Sequence, residues 1–576
     1  MNDDLELPDP DFEPIDAVMA GLSIDSDDDD DDFVLQAANS QARKKRKKSQ
    51  PPVRDQAQAT MNNVAEGWTE NLPDPQISDY AENCGPQCEL PYDADVLKYF
   101  MKLCGDNFFD MLVLGTNANA AVKKPPAIPD PNDPFLTSDP HWEPVFVDEM
   151  KAFISINIMM GLDPKSEYID YWSEDAALHN VYISSRMTRN RYEKLCQYFH
   201  CSDPRHADPN DKLDKVRPFL NVMEHNFPAM FTPGKKLSVD EAMIKFDGRL
   251  AWKQYMPKKP VKWGIKLWCL CDATTGYCLA LSVYKGKDNN DEAKQLGLGY
   301  TVVMKLMENY LLRNHHVYAD NFFSSYDLAK DLMDADTYYC GTVQINRKSL
   351  PQQIRKPKLQ QYESIKWTAE NSNIMVCRWK DKRDVYTIST NNNGLDTEKP
   401  RSRFKRDLIT VPSVIVDYNK HMGGVDHFDQ LRSYYDVGRT GRRWWKYLFW
   451  GFLNITIINA YILWYLSTLP HTNNKRSWSL KYFKLKLGHS LGDNFTSRKR
   501  HSLQGTDKTR KIRATIQREV IQGHSLVEFD SRKKICVVCK KSGKKTAGGN
   551  SIQTIFGCSG CSENMCKSCF RIHHNI

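Results

Sequence analysis

The chain opens without the parts of a secretory signal. MNDDLELPDPDFEP has no basic n-region and no apolar h-region, so no such signal is expected. Apolar residues stay sparse over the first 80 positions, and the six consecutive aspartates Asp27 to Asp32 cannot pack together. Residues 1–90 are therefore expected to be a disordered acidic and basic region. A cysteine pattern is missing from most of the chain. Ten of the 16 cysteines are scattered through the first 400 residues, which argues for a reducing compartment. Long apolar runs are also scarce. One, from Trp444 to Leu466, reaches the ~20 residues of a membrane helix, but Lys446, Asn454 and Asn459 interrupt it. Such groups are costly in lipid, so the run reads as a buried helix and no membrane partner is expected.

What is present suits a large globular protein. Hydrophobic residues make up 41% and aromatics 11%, and 576 residues are too many for one core. At ~150 residues per domain, three or four domains are expected. The net charge of +7 is modest, but it is segregated into an acidic start and basic clusters. Arg43 to Lys48, RKKRKK, is the first of these. It reads as a nuclear address or a nucleic-acid patch against the alternative of a solvated charge run. Read as an address, it makes nuclear import machinery the expected partner and the nucleus the expected location.

The stretch Lys236 to Asp272 organises the rest. Leu237 and Val239 alternate with Ser238 and Asp240, the period of a half-buried strand. Val261 to Cys271 repeats the pattern, and Gly276 to Lys285 gives a third strand. A helix over 291–312 follows, then the short strand HVYAD (His316 to Asp320), a helix over 321–334 and a strand over 338–343. Three strands, helix, strand, helix, strand is the order of an RNase H-like mixed sheet. This α/β catalytic domain is assigned to 234–344 and resumes within 411–470. Residues 345–410, with a hairpin of 374–380 and 384–390 and the basic loop KPRSRFKR, read as an insertion domain presenting positive charge. Residues 91–233 read as helical, with one helix over 182–200. Its Arg186, Arg189 and Arg191 either touch phosphates or form a solvated face. Residues 471–523 read as a basic linker.

Two groups of residues carry chemistry. Asp240 lies early in a sheet, where an unpaired carboxylate is costly. A metal ion, an Arg or Lys, or backbone donors could offset it. Asp320 ends the fourth strand, which neighbours the first in such a sheet, so both acids should meet at one edge. Asp426 and Asp429 stand at i and i+3 on a late helix and repel unless a cation lies beside them. This set points to two Mg²⁺ ions, with Mn²⁺ as the alternative, about 3.5–4 Å apart, promoting phosphoryl transfer on nucleic acid. Glu241 is set aside because it points to the opposite face of the strand. Asp272, before ATTG, reads as a turn-former. The second group is three C-x-x-C pairs in 524–576: Cys536 and Cys539, Cys558 and Cys561, Cys566 and Cys569. With His574 they make seven ligands for two structural Zn²⁺ ions, and His524 or His573 is the open choice for the eighth.

SVDEAMIKFDGR, CDATTGY, YADNFFSS, NKHMGGVDHFDQ and the segment from RRWW to NAYILWY resemble the motifs of piggyBac-type DNA transposases and their host-derived relatives. The resemblance spans about residues 130–470 and 524–574. It implies an RNase H-like catalytic domain inside a split helical dimerisation and DNA-binding domain, an insertion domain and a zinc-binding tail. It implies metal-dependent cleavage of double-stranded DNA at transposon ends, movement between TTAA sites, and a homodimer. By motif, Asp240, Asp320 and Asp426 become catalytic metal ligands with Asp429 contributing. Trp444 matches a tryptophan placed near hairpinned DNA. The zinc tail would read the transposon end, and this chain has His573 where relatives often have Tyr. Arg401, Arg403 and Arg406 of the basic loop are the expected DNA contacts. The alternative is a domesticated DNA-binding protein without transposition activity.

Overall fold

The sheet is built outward from its longest central strand. The computed structural model describes residues 67–496, except 92, 129, 131–132, 258, 287–295, 403–404, 439–442 and 469–478, and residues 526–573, except 530–531 and 547. Two units divide the chain at Arg498. In the first, ten strands share one sheet: β1 (Trp68–Thr69), β2 (Lys236–Lys245), β3 (Gln254–Tyr255), β4 (Trp263–Asp272), β5 (Cys278–Val283), β6 (His316–Ala319), β7 (Tyr338–Thr342), β8 (Ser364–Ala369), β9 (Met375–Lys380) and β10 (Asp384–Ser389). Strand β4 runs antiparallel to β2, with Asp240 opposite Cys269, and β5 runs antiparallel to β4. Strand β6 lies parallel to β2 on its other side, and β7 parallel to β6. This is the strand order expected from the sequence.

The central strand departs from the expected half-burial. Its residues from Leu237 to Asp240 are all buried, because helices cover both faces. The α-helices among the described residues of this unit are α1 (Val96–Cys104), α2 (Phe108–Lys123), α3 (Val147–Leu162), α4 (Val181–Arg186), α5 (Arg189–Tyr198), α6 (Arg217–Met230), α7 (Leu298–Met307), α8 (Tyr326–Asp334), α9 (Ser413–His421), α10 (Gly424–Ser433), α11 (Trp444–Thr468) and α12 (Leu480–Gly492). Helix α11 is the apolar run: 94% of its most apolar window is buried inside the protein. Its two amides are matched rather than stranded. Asn459 Oδ1 accepts the Cys278 N–H (2.9 Å) and its Nδ2 donates to the Cys278 carbonyl (2.8 Å). Asn454 Nδ2 donates to the Arg432 carbonyl (2.8 Å) and Lys484 Nζ to Asn454 Oδ1 (2.9 Å).

Several expected boundaries move. Residues 67–90, assigned to the disordered region, lie along the sheet: Trp68 pairs with Ala369, and the Tyr80 hydroxyl donates to the Pro233 carbonyl (2.6 Å). Aromatic anchors hold this segment where its sparse apolar content gave no periodic signal. Residues 345–410 do not stand apart, because β8, β9 and β10 extend the same sheet from β7. The basic loop is the turn of a separate ribbon, β11 (Asp396–Ser402) with β12 (Lys405–Pro412); the side chains of 401–406 lie outside the described residues. The basic linker contains α12, which buries Leu480, Phe483, Leu487 and Leu491. Four lysines and histidines between those positions hid the helical spacing. The helix over 182–200 is two helices, broken at Met187, with the Thr188 hydroxyl accepting the Arg191 N–H (3.4 Å). Its arginines are paired with acids: Arg191 with Glu149 (2.6 Å), Arg186 with Asp493 (2.7 Å) and Arg189 with Glu193 (3.6 Å). Helix α8 starts five residues after the expected Asn321, because Asn321 to Ser324 turn and Ser325 caps the helix (Leu328 N–H, 3.1 Å). The start of the helix expected over 291–312 and the whole of Arg43 to Lys48 lie outside the described residues.

The second unit has a three-stranded sheet (Leu526–Glu528, Phe556–Cys558, Glu563–Asn564), a two-stranded pair (Lys534–Ile535, Gln553–Thr554) and two short helices, Val537–Lys541 and Lys567–His573. Its two buried clusters are made largely of the cysteines themselves with Met565 and Phe570.

Candidate active site and metal centre

The parallel register between β2 and β6 decides the first site. Its last pair is Val239 with Ala319, so Asp320, the next residue after β6, comes beside Asp240. The carboxylates of Asp240, Asp320 and Glu241 each bring an oxygen within 4.8 Å of the others. Glu241 corrects the expectation that set it aside. Alternation fixes the direction of Cα–Cβ bonds, not the end of a longer side chain. The Asp240 carboxylate also folds back to accept the Glu241 N–H (2.7 Å). Asp320 is held by the turn after β6, accepting the Phe322 N–H (2.9 Å).

Burial and crowding act together on the two aspartates of this cluster. Burial pushes the Asp240 carboxyl well above its ordinary value, Lys259 opposes this, and Glu241, Asp426 and Asp320 add to it. Burial also raises Asp320, with Glu241 adding. Asp240 is only 6% exposed.

Helix α10 brings the remaining acids. Its first turn lies so close to the sheet that a Cβ on Gly424 would stand 2.9 Å from Ala273 Cα and 3.0 Å from Ser238 Cβ. The Ser238 hydroxyl donates to the Met422 carbonyl just before it (2.5 Å). Asp426 is thereby set over the strand edge. Lys259 joins it to the cluster, with Nζ 3.4 Å from Asp426 Oδ1 and 3.9 Å from Asp240 Oδ2. Lys266 stands 3.8 Å from Glu241. Asp429 borders the same cavity of about 560 Å³, with Lys259, Asp426, Tyr447 and Trp450. Its carboxylate is engaged differently: Arg432 donates to it (2.8 Å) and to the Met243 carbonyl (2.6 Å). Trp444 opens α11 and packs edge-to-face on Trp252 (5.4 Å between centroids). Asp272 is the expected turn-former, accepting from Gly234 N–H (2.7 Å), Thr275 N–H (2.8 Å) and the Thr275 hydroxyl (2.9 Å).

The residues present fit hard divalent cations. The donors are carboxylate oxygens, as Mg²⁺ and Mn²⁺ require, and their mutual repulsion is what a cation would relieve. Sequence reasoning missed Lys259 as a partner of the acids, although it lies in the basic, aromatic connection RLAWKQYMPKKPVKW.

The cysteines of the second unit separate into two sets. Cys536, Cys539, Cys566 and Cys569 bring their sulfurs within 4.8 Å of one another. The Cys539 sulfur is 3.2 Å from Cys569 and 3.8 Å from Cys566. A tetrahedron with ~2.3 Å metal–sulfur bonds has edges of about 3.8 Å, so this set has the size of a zinc site. Its ligands come from the first and third C-x-x-C pairs, skipping the second. Cys558 and Cys561 form a separate turn, the Cys561 N–H donating to Cys558 Sγ (3.4 Å). His573 ends the last helix; His524 and His574 lie outside the described residues, as does Arg403.

A family model described as Transposase IS4 matches residues 95–461, more than half of the chain. The match takes in all four aspartates. The chain belongs to the piggyBac-type transposase family. Among curated proteins it is 28% identical over 309 residues to human PiggyBac transposable element-derived protein 3, covering 52% of each chain. It is 23% identical over 460 residues to human PiggyBac transposable element-derived protein 5, covering 77% of this chain and 82% of that one. The chain thus spans about half the length of the first of these relatives. Its fold matches a piggyBac transposase solved by cryo-EM as a synaptic complex with hairpin DNA, with TM-score 0.62, 23% identity, and coverage of 84% of this chain and all of that one.

Proposed function

We propose that this member of the piggyBac-type family is a metal-dependent DNA transposase with an RNase H-like catalytic core. The observation that carries the reading is the meeting of Asp240, Glu241 and Asp320 at one strand edge, with Asp426 joined to them through Lys259. Asp240, Asp320 and Asp426 would hold two divalent ions, Mg²⁺ or Mn²⁺, and Glu241 is a further donor. When bound, such a pair activates the attacking oxygen and steadies the leaving one. Arg432 fixes Asp429 beside the cluster, so Asp429 acts by placing charge rather than as a free ligand. Lys259 and Lys266 offset the carboxylates while the site waits for DNA.

The remaining parts of the proposal follow the resemblance. Double-stranded transposon ends with TTAA targets are the substrate, the active form is a homodimer, and Arg43 to Lys48 directs the chain to the nucleus. Trp444 and the basic ribbon with Arg401, Arg403 and Arg406 contact DNA. The tail binds two Zn²⁺ ions, one through Cys536, Cys539, Cys566 and Cys569, the other through Cys558 and Cys561 with histidine. A second reading, a domesticated DNA-binding protein without transposition, is favoured by the names of the relatives, which are transposable element-derived proteins. Cleavage of the element's own termini with Mg²⁺ tests both. Wild type should cut and Asp320→Ala should not. Equal nicking by the two proteins refutes the site assignment, and end-binding without cutting by either supports the second reading.

A further inference from the structure

The connection between β2 and β4 places a lysine where the acids need a cation. Lys259 Nζ lies between two carboxylates from distant parts of the chain, 3.9 Å from Asp240 Oδ2 on the sheet and 3.4 Å from Asp426 Oδ1 on α10. Neither distance is that of a tight charge-assisted pair, which is nearer ~2.8 Å. The ammonium is shared and fixed by neither. Its side chain is 20% exposed, so it has a way out to solvent, whereas Asp240 is 8% exposed at the side chain. Lys259 also lies on a connection with short pairing, since β3 is two residues long. That connection and the first residue of β4 present an exposed, lysine-flanked aromatic pair: Tyr255 and Trp263, 50% and 45% exposed, with ring centroids 4.6 Å apart and Lys253 Nζ 4.6 Å over Trp263. A cationic, aromatic surface of this kind suits the backbone and bases of a nucleic acid.

We propose that Lys259 is a displaceable internal counter-ion and positioning residue: it holds Asp240 and Asp426 together in the ion-free site, yields its place to a divalent cation, and then pairs with a phosphate of the bound DNA. The inference rests on the function proposed above and adds a residue to it. A divalent ion at Asp240 and a lysine ammonium at 3.9 Å repel, so binding of the ion and retention of the lysine there oppose each other. A DNA phosphate gives the displaced ammonium a new partner, so cation and DNA binding become linked through one side chain. The linkage is reciprocal.

The experiment compares full-length wild type, Lys259→Met and Lys259→Arg by calorimetric titration with Ca²⁺ and Mn²⁺ in the absence of DNA. It then measures the salt dependence of binding to a DNA duplex in Ca²⁺, where no cleavage confuses the readout. Lys259→Met should bind the cations about tenfold more tightly than wild type. Its slope of log affinity against log salt should fall by about one phosphate, ~0.9, and its Mg²⁺-dependent cleavage should drop. Lys259→Arg keeps the charge and should stay near wild type in cation affinity and salt slope. Unchanged or weaker cation binding by a folded Lys259→Met overturns the counter-ion role, as does an unchanged salt slope for the phosphate role. If wild type itself binds no divalent cation, the proposed function falls instead, and the two failures are told apart.

Discussion

Replacing Asp320 by asparagine should stabilise the ion-free protein while removing its response to divalent cations. Asp320 has carboxylate neighbours Asp240 and Glu241 within 4.8 Å. Two unit charges at that separation repel by ~3.5 kcal/mol at an effective dielectric constant of ~20. Solvent screening and the lysines nearby reduce this, so a gain of about 1–2 kcal/mol is expected from Asp320→Asn. The substitution keeps the local bond, because an amide oxygen can still accept the Phe322 N–H as the carboxylate does. In EDTA the thermal midpoint should rise by about 1–2 °C, since the large unit unfolds with an entropy of about 0.9 kcal/mol/K. On adding Mn²⁺ or Ca²⁺ the wild type should gain stability by mass action, and the variant should gain much less. Differential scanning calorimetry of both proteins, with and without the cation, is the assay. A variant less stable than wild type in EDTA, or equally stabilised by the cation, would refute the reasoning that repulsion between these acids is relieved by metal.

Other outcomes follow from the same structure. Neutralising Arg401, Arg403 and Arg406 together should flatten the slope of log DNA affinity against log salt by about 2–3; a slope equal to wild type removes the ribbon from the interface. Cys536→Ser should lower zinc content by one ion per chain and unfold the tail, while the far-ultraviolet spectrum of the large unit persists; elemental analysis with circular dichroism checks this, and full zinc retention contradicts the four-cysteine site. Burial lowers His200 to about 4 from the ordinary value of 6.5, so the unfolded imidazole takes up its proton near 6.5 and the folded one only near 4. The neutral histidine therefore contributes stability that is present above 6.5 and lost as pH falls toward 4. The urea midpoint should drop between pH 7 and 5, less steeply for His200→Asn, and a flat wild-type profile over that range would contradict it.

Much of the site was legible because its parts are local. Asp240 in an alternating run, Asp320 at the end of HVYAD and Asp426 in a helical motif each announce their element, and a parallel partner for the first strand brings the first two together. What was not legible depends on where side chains end. Glu241 was lost to a correct rule about strand faces, which fixes the Cβ and not the carboxylate. Lys259 lay in a connection whose charge was obvious and whose destination was not. Helix α12 was hidden because its apolar positions are diluted by lysines, one of which, Lys484, is buried against the Tyr434 and Tyr435 carbonyls (3.1 and 2.8 Å).

The sequence alone determined the order of strands and helices from Lys236 to Thr342, the acids that sit at their ends, and the cysteine pairs of the tail, since periodicity and spacing are properties of neighbours along the chain. Only the tertiary structure decided that the strands between Ser364 and Ser389 lengthen the main sheet, that the first and third cysteine pairs combine while the second stands apart, and that a lysine bridges Asp240 and Asp426. Each of those outcomes is a contact between residues far apart in sequence, chosen by packing and by the cost of leaving buried charge and backbone groups unpaired.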